Sequence, residues 1–225
     1  MAQHRSRLVR FVPALLTAFL VLVAVASPAA HAAPAQDVTD PPAELLGLEV
    51  AQASGNGCSA ANTQIAVHPD NSAFDLWIDG FEARKGSGTA PIDFRKACTL
   101  SATATIPAGY SYGIAEISHS GRTSLPTGLT AQHRSSFYWC GCSGPPFDFT
   151  ANFRGLSSDS WARTDTPEWI RFSPCSTRTE QVNIRQEVRI GSGTPVPVDA
   201  VSRLSLGSGP EQPIATYRVV WRTCA

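Results

Sequence analysis

Cys140-Gly141-Cys142, at the end of the aromatic run SSFYW, sets two thiols one residue apart. Such a pair could run thiol–disulfide exchange, supply half of a zinc site, or close on itself as a small staple. The redox signature is C-x-x-C in a βαβ setting, and both are missing here. Zinc needs a second ligand pair at suitable spacing, and exported thiols oxidise. In a straight strand, residues i and i+2 have Cα atoms about 6.6 Å apart, near the upper limit for a disulfide. A bridge therefore requires the bend that Gly141 permits. The staple is the expected state; thiol exchange through a strained ring is the alternative.

Gly109-Tyr110-Ser111-Tyr112-Gly113 matches G-x-S-x-G, the elbow that exposes a nucleophilic serine between a strand and a helix. Here IAEISHSG follows and alternates like a strand, so Pro107-Ala108-Gly109 reads as a turn and Ser111 as a strand residue. His68, His119 and His133 admit many triads on paper, but triads are recognised by geometry. His68-Pro69-Asp70-Asn71 reads as the start of a hairpin turn, and His119 and His133 as solvent-facing strand positions. Asp75 and Asp79 lie on one strand face roughly 13 Å apart, too far for paired-carboxylate glycoside cleavage. Asp159, Asp165 and Glu168 lack the alternation of a Ca²⁺ loop. No metal site and no cofactor are expected. The five tryptophans, Trp77, Trp139, Trp161, Trp169 and Trp221, could include a sugar-stacking platform, but burial in a sandwich core explains most of them equally well. Trp161 in a polar segment is the candidate sugar-stacking ring.

The elements that must position these groups are strands. Phe74, Leu76 and Ile78 alternate with Asp75, Trp77 and Asp79. Leu100, Ala102, Ala104 and Ile106 repeat the period of two, as do Phe147, Phe149 and Phe153. Val182, Ile184, Val188 and Ile190 do the same, and ATYRVVWRTC is rich in β-branched and aromatic residues. Turn formers such as Pro69-Asp70-Asn71, Gly86-Ser87-Gly88, Pro126-Thr127-Gly128 and Gly191-Ser192-Gly193 separate the runs. The pattern predicts an all-β antiparallel sandwich of nine or ten strands, with residues 155–168 as a long exposed loop.

Residues 1–32 read as a signal peptide. Arg5, Arg7 and Arg10 precede the apolar run 11–26, and Ala30-His31-Ala32 fits the A-x-A cleavage rule. The run is too short to anchor comfortably in a bilayer. Residues 33–43 read as a disordered leader and 44–225 as a single sandwich domain, secreted and monomeric. Cleavage after Ala32 removes three of 18 basic residues and none of the 18 acids, leaving a formal charge of −3. No basic stripe forms, which argues against nucleic acid or an anionic membrane as partner. Six cysteines in an exported chain read as a disulfide framework with 15 possible pairings.

HPDNSAFDLWIDGFEA, RKACTLSATATIPAGYSYGIAEISHSG, RFSPC followed by VNIRQEVRI, and YRVVWRTC together resemble an uncharacterised family of small secreted proteins, domain of unknown function 4360. The likeness covers about residues 45–224. It implies a secreted β-rich domain with cysteines at Cys58, Cys98, Cys175 and Cys224, and it assigns no activity, cofactor or catalytic residue. Cys140 and Cys142 depart from the family pattern. With the family's four cysteines as a self-sufficient set, the resemblance implies Cys58–Cys98, Cys175–Cys224 and Cys140–Cys142. In the chain-entropy model each of the two long links contributes on the order of 4 kcal/mol.

The expected function is non-catalytic: an extracellular binding or structural role toward a polymer or surface partner. A hydrolase with a fold-assembled site and a thiol oxidoreductase at Cys140/Cys142 are the alternatives.

Overall fold

The computed structural model describes residues 38–139, 146–155, 157–191, 200–207, 209 and 211–224. Cys140 and Cys142, with the expected staple, lie outside the described residues.

Twelve strands form two antiparallel sheets. The first orders β1 (Gly47–Ser54), β5 (Arg95–Thr105), β10 (Thr179–Ile190), β7 (Thr130–Trp139) and β8 (Phe147–Arg154) as β1-β5-β10-β7-β8. The second contains β2 (Thr63–Val67), β3 (Ala73–Ile78), β12 (Ala215–Thr223), β6 (Tyr110–Leu125), β11 (Val201–Leu206) and β4 (Glu82–Gly86), in the order β2-β3-β12-β6-β11-β4. The remaining strand, β9 (Ser157–Asp165), pairs with the second half of β6 from Ile117 to Leu125.

The period of two does what it should. Leu100, Ala102 and Ala104 on β5 and Val182, Ile184, Val188 and Ile190 on β10 are all buried, facing Phe74, Leu76, Ile117, Leu204, Tyr217 and Trp221 in one core. Burying a large apolar side chain contributes roughly 1.5–3 kcal/mol, and both sheets share this interior.

The count exceeds the nine or ten strands expected, and one element explains much of the difference. Residues 157–165, expected within an exposed loop, are β9. SSDSWARTD is poor in β-branched residues and mostly polar, so its own pattern argues against a strand. The β6 backbone supplies the partner groups that its composition does not advertise.

The two long disulfides are Cys58–Cys98 and Cys175–Cys224, with Cα atoms 5.4 and 5.6 Å apart. Their pairing is as expected. So is the β2–β3 turn: His68 N–H donates to the Ala73 carbonyl at 2.8 Å, and Asn71 takes a left-handed φ of 60°. Asparagine tolerates this conformation better than other non-glycine residues.

Asn71 is buried and organises the chain's entry into the sandwich. Its Oδ1 accepts from Leu46 N–H at 3.0 Å, and its Nδ2 donates to the Pro42 and Glu44 carbonyls at 3.2 and 2.8 Å. Trp221 Nε1 donates to its backbone oxygen at 2.9 Å. Within residues 33–43, set down above as a leader, Thr39 pairs with Trp221 through a 2.8 Å backbone bond. Asn71→Ala strands several buried polar groups, and urea unfolding should show a loss of roughly 2–4 kcal/mol. An unchanged midpoint would contradict this role.

Candidate ligand-binding cleft

β6 enters from the turn at Pro107-Ala108-Gly109, where Gly109 has φ 77° and Tyr110 N–H bonds the Pro107 carbonyl at 3.2 Å. Ser111 is therefore a strand residue, as expected, and it is buried. Its Oγ donates to the Ser173 carbonyl at 2.5 Å, while Ser173 Oγ accepts from Tyr112 N–H at 3.1 Å and Ser173 N–H donates to the Tyr112 carbonyl at 2.8 Å. Gly113 completes this strip. It bridges to Phe172, and a Cβ placed on it would lie 2.7 Å from the Arg171 carbonyl and 2.6 Å from Ile170 Cγ2. The G-Y-S-Y-G stretch thus receives a second piece of backbone instead of presenting a nucleophile.

That piece is the connection between β9 and β10. It is fixed further by the Arg222 guanidinium over the Phe172 ring at 4.5 Å, and by Cys175–Cys224 at its end. Cys224 N–H in turn donates to Gly109 at 2.8 Å. From the same connection, Thr166, Pro167, Glu168, Trp169 and Arg171 line a cleft of about 330 Å³. The ends of β7 and β8 add Phe137, Tyr138, Trp139, Phe147 and Asp148 to the lining. Trp139 is oriented by its Nε1, which donates to Tyr112 Oη at 3.1 Å. Trp169 is 55% exposed, the most exposed aromatic ring among the described residues. The cleft therefore has aromatic faces, two carboxylates and one guanidinium.

A family model for a domain of unknown function, DUF4360, matches residues 46–224. The chain belongs to that family. No curated protein matches it. Similarity to solved structures is slight. TmCBM61 in complex with β-1,4-galactotriose is 8% identical over 77% of this chain and 88% of that one, at a TM-score of 0.27. The infectious bursal disease virus Gt strain structure is 14% identical over 74% of this chain and 39% of that one, at 0.30. The enzymatically active domain of bacteriophage CBA120 tailspike protein 4 is 12% identical over 80% and 19%, at 0.20. At these TM-scores none carries an argument about this chain.

The other residues singled out in the sequence are dispersed. His68 Nε2 lies 2.9 Å from Asp75 Oδ2, and Asp75 Oδ1 accepts from Thr216 Oγ1 at 2.6 Å. The carboxylate stands between imidazole and hydroxyl, so the imidazole cannot take the hydroxyl proton as in a triad. Asp79 lies beyond the end of β3, and Asp165 pairs with Arg163 at 3.0 Å. Among the described residues no group of three or more His, Cys, Asp or Glu gathers. Trp161 sits on β9, half-buried, against Phe153 and His133 with ring centroids 4.9 and 5.7 Å away. Its Nε1 is buried without a partner.

The expectation that His119 and His133 face solvent is wrong. They are 2% and 0% exposed and meet between the sheets with ring centroids 4.6 Å apart. Parity carried the signal: His119 shares its strand face with buried Ile117 and Leu125, and His133 with Ala131 and Phe137. Gln186 holds the junction. His133 Nε2 lies 2.8 Å from Gln186 Oε1, while Gln186 Nε2 donates to Ser135 Oγ at 2.9 Å and Tyr217 Oη at 3.2 Å. The amide thus links β10 and β7 to β12 in the opposite sheet.

Burial holds the imidazoles neutral. It pushes His133 down to about 4, with the Gln186 bond and the Asp165 carboxylate opposing part of that shift. It also pushes His119 well below 6.5, with the His133 charge adding to the effect. The unfolded chain binds these protons near pH 6.5, and the folded chain only at lower pH. The stabilisation is complete above about pH 6.5 and declines toward pH 4, by on the order of 1.4 kcal/mol per pH unit per histidine. Thermal melts should show the midpoint falling as the pH drops from about 6.5 toward about 5, above the range where ordinary carboxylates titrate. A flat profile there would contradict the buried neutral pair.

Proposed function

We propose that the protein is an exported, non-catalytic binding module, and that the cleft between Trp169 and the β7–β8 end takes a neutral polysaccharide. The observation that carries this reading is the half-exposed Trp169, which lines one cleft with Tyr138, Phe147, Asp148, Glu168 and Arg171. Sugar rings present C–H faces to aromatic rings and hydroxyls to carboxylate and guanidinium groups. Two acids against one base at the cleft disfavour an anionic chain. The volume falls in the range of small-ligand sites. Export rests on the signal-peptide pattern of residues 1–32 and on the two disulfides, which persist in oxidising compartments. No described helix is long and apolar enough to cross a membrane.

Trp161 keeps a supporting place in this reading, half-buried and outside the cleft lining. Affinity electrophoresis against a panel of neutral β-linked polysaccharides should show retardation of the wild type. Trp169→Ala should weaken it by about tenfold, corresponding to the loss of one stacking partner. Trp161→Ala should spare it in protein that remains folded. Equal retardation of Trp169→Ala and wild type would count against the cleft.

A hydrolytic reading is favoured by one observation, the presence of Asp148 and Glu168 on the same cleft. Paired carboxylates are the machinery of glycoside cleavage. Release of reducing ends from the same polysaccharides, lost in both Asp148→Asn and Glu168→Gln, would turn the binding module into an enzyme.

A further inference from the structure

β7 begins at Thr130 and ends at Trp139, so its two ends lie about 30 Å apart at 3.4 Å per residue. Trp139 belongs to the cleft already described; Thr130 opens on a different surface. There Arg84 and Lys85 of β4, Arg189 of β10, Phe94 and Pro91 line a cavity of about 600 Å³. An adjoining cavity of about 290 Å³ is lined by Arg189 again, together with Arg154 of β8, Gln132 and Asn152. Arg189 and Gly191 are common to both, which makes them one trough.

The charge of this trough is one-sided. Four cations line it and no described acid does. The neighbouring acids are already engaged: Glu82 by Arg84 and Arg203, Asp93 by Lys96, and Glu187 by Arg95. Among the described residues no carboxylate bonds Lys85, Arg154 or Arg189. Arg189 even lies directly opposite Arg95 across the β10–β5 ladder. Like charges so placed are destabilising in a sheet, and fold stability gives no reason to keep them. Lys85 Nζ is steered by the Gly191 carbonyl at 3.0 Å, which orients the charge without neutralising it. This concentration stands out in a chain whose basic and acidic residues balance at 18 each.

An apolar floor lies beside the cations. Phe94 is 41% exposed and Pro91 adjoins it, with Ile190 behind. A ligand that satisfies both parts carries an acid group on a ring with a C–H face. We propose that the trough is a second binding site, for a polysaccharide bearing carboxylates on its sugar rings. The carboxylates meet Arg189, Arg154 and Lys85, through fork-shaped charge-assisted bonds in the case of the arginines, and a sugar face rests on Phe94. This site is independent of the neutral-sugar cleft at the other end of β7.

Affinity electrophoresis and calorimetry of the full exported chain with polygalacturonate test it, with polyglutamate, polyphosphate, single-stranded DNA and a neutral glucan in parallel. Polygalacturonate should bind and weaken as salt rises, and Arg189→Ala and Arg154→Ala should each reduce affinity by about tenfold. Phe94→Ala should also reduce it, and Trp169→Ala should leave it unchanged. Both arginines are exposed, so thermal midpoints should not fall below that of the wild type. Arg189→Gln serves in place of Arg189→Ala should that variant prove unstable. The proposal is overturned if polygalacturonate fails to bind or if the arginine variants bind as the wild type does. Equal binding of polyglutamate, polyphosphate or DNA also overturns it, since the trough would then be an unselective cationic surface. Loss of neutral-sugar binding in Trp169→Ala with polygalacturonate binding intact separates the two sites.

Discussion

The absence of a side chain at Gly113 is the constraint on which the cleft depends. β6 runs through the middle of its sheet, yet beside Tyr112 and Gly113 it must also accept the backbone of Arg171 to Ser173. A methyl group at 113 would collide with the Arg171 carbonyl, and a carbonyl cannot swing aside as a flexible side chain can. With that approach permitted, Ser111 and Ser173 satisfy polar groups that the contact buries, and Cys175–Cys224 closes the segment onto the end of β12. Trp169 stands a few residues upstream of these anchors. Its exposure is held by a fixed base, which lowers the entropy cost of engaging a ligand.

The fold was largely legible because its signal is local. Alternation in β3, β5, β10 and β12 records which face is buried, and Pro69-Asp70-Asn71 records where the chain turns. β9 was not legible, since a polar strand borrows its pairing from β6 and leaves no apolar trace beyond Trp161. The histidines are a different failure. Their strand parity pointed inward, but a general preference for exposed polar residues overrode it. What makes burial tolerable is Gln186, at an inward position between Ile184 and Val188, and the link between a glutamine on β10 and rings on β6 and β7 is invisible until strand order is known.

The cleft was legible only in pieces. Trp169, Asp148 and Tyr138 come from three separate segments, and core burial explains Trp169 in the sequence as well as it explains most of the tryptophans. Trp161 has polar sequence neighbours yet is half-buried, because polarity of neighbours measures composition and not exposure. The strand that follows G-Y-S-Y-G shows in the sequence that it is no elbow, but its positive role, to receive the segment behind Trp169, follows from tertiary contact alone. The two ends of β7 likewise differ in a way that net charge conceals: one end gathers aromatics with acids, the other cations.

The most direct test is heteronuclear NMR of the indole N–H groups during titration with neutral oligosaccharides. The account predicts that the Trp169 resonance shifts first and furthest, with the buried Trp221 indole unmoved because its proton is committed to Asn71. Saturating perturbation of Trp77 or Trp161 with Trp169 silent would place the ligand elsewhere and contradict the cleft as the binding site.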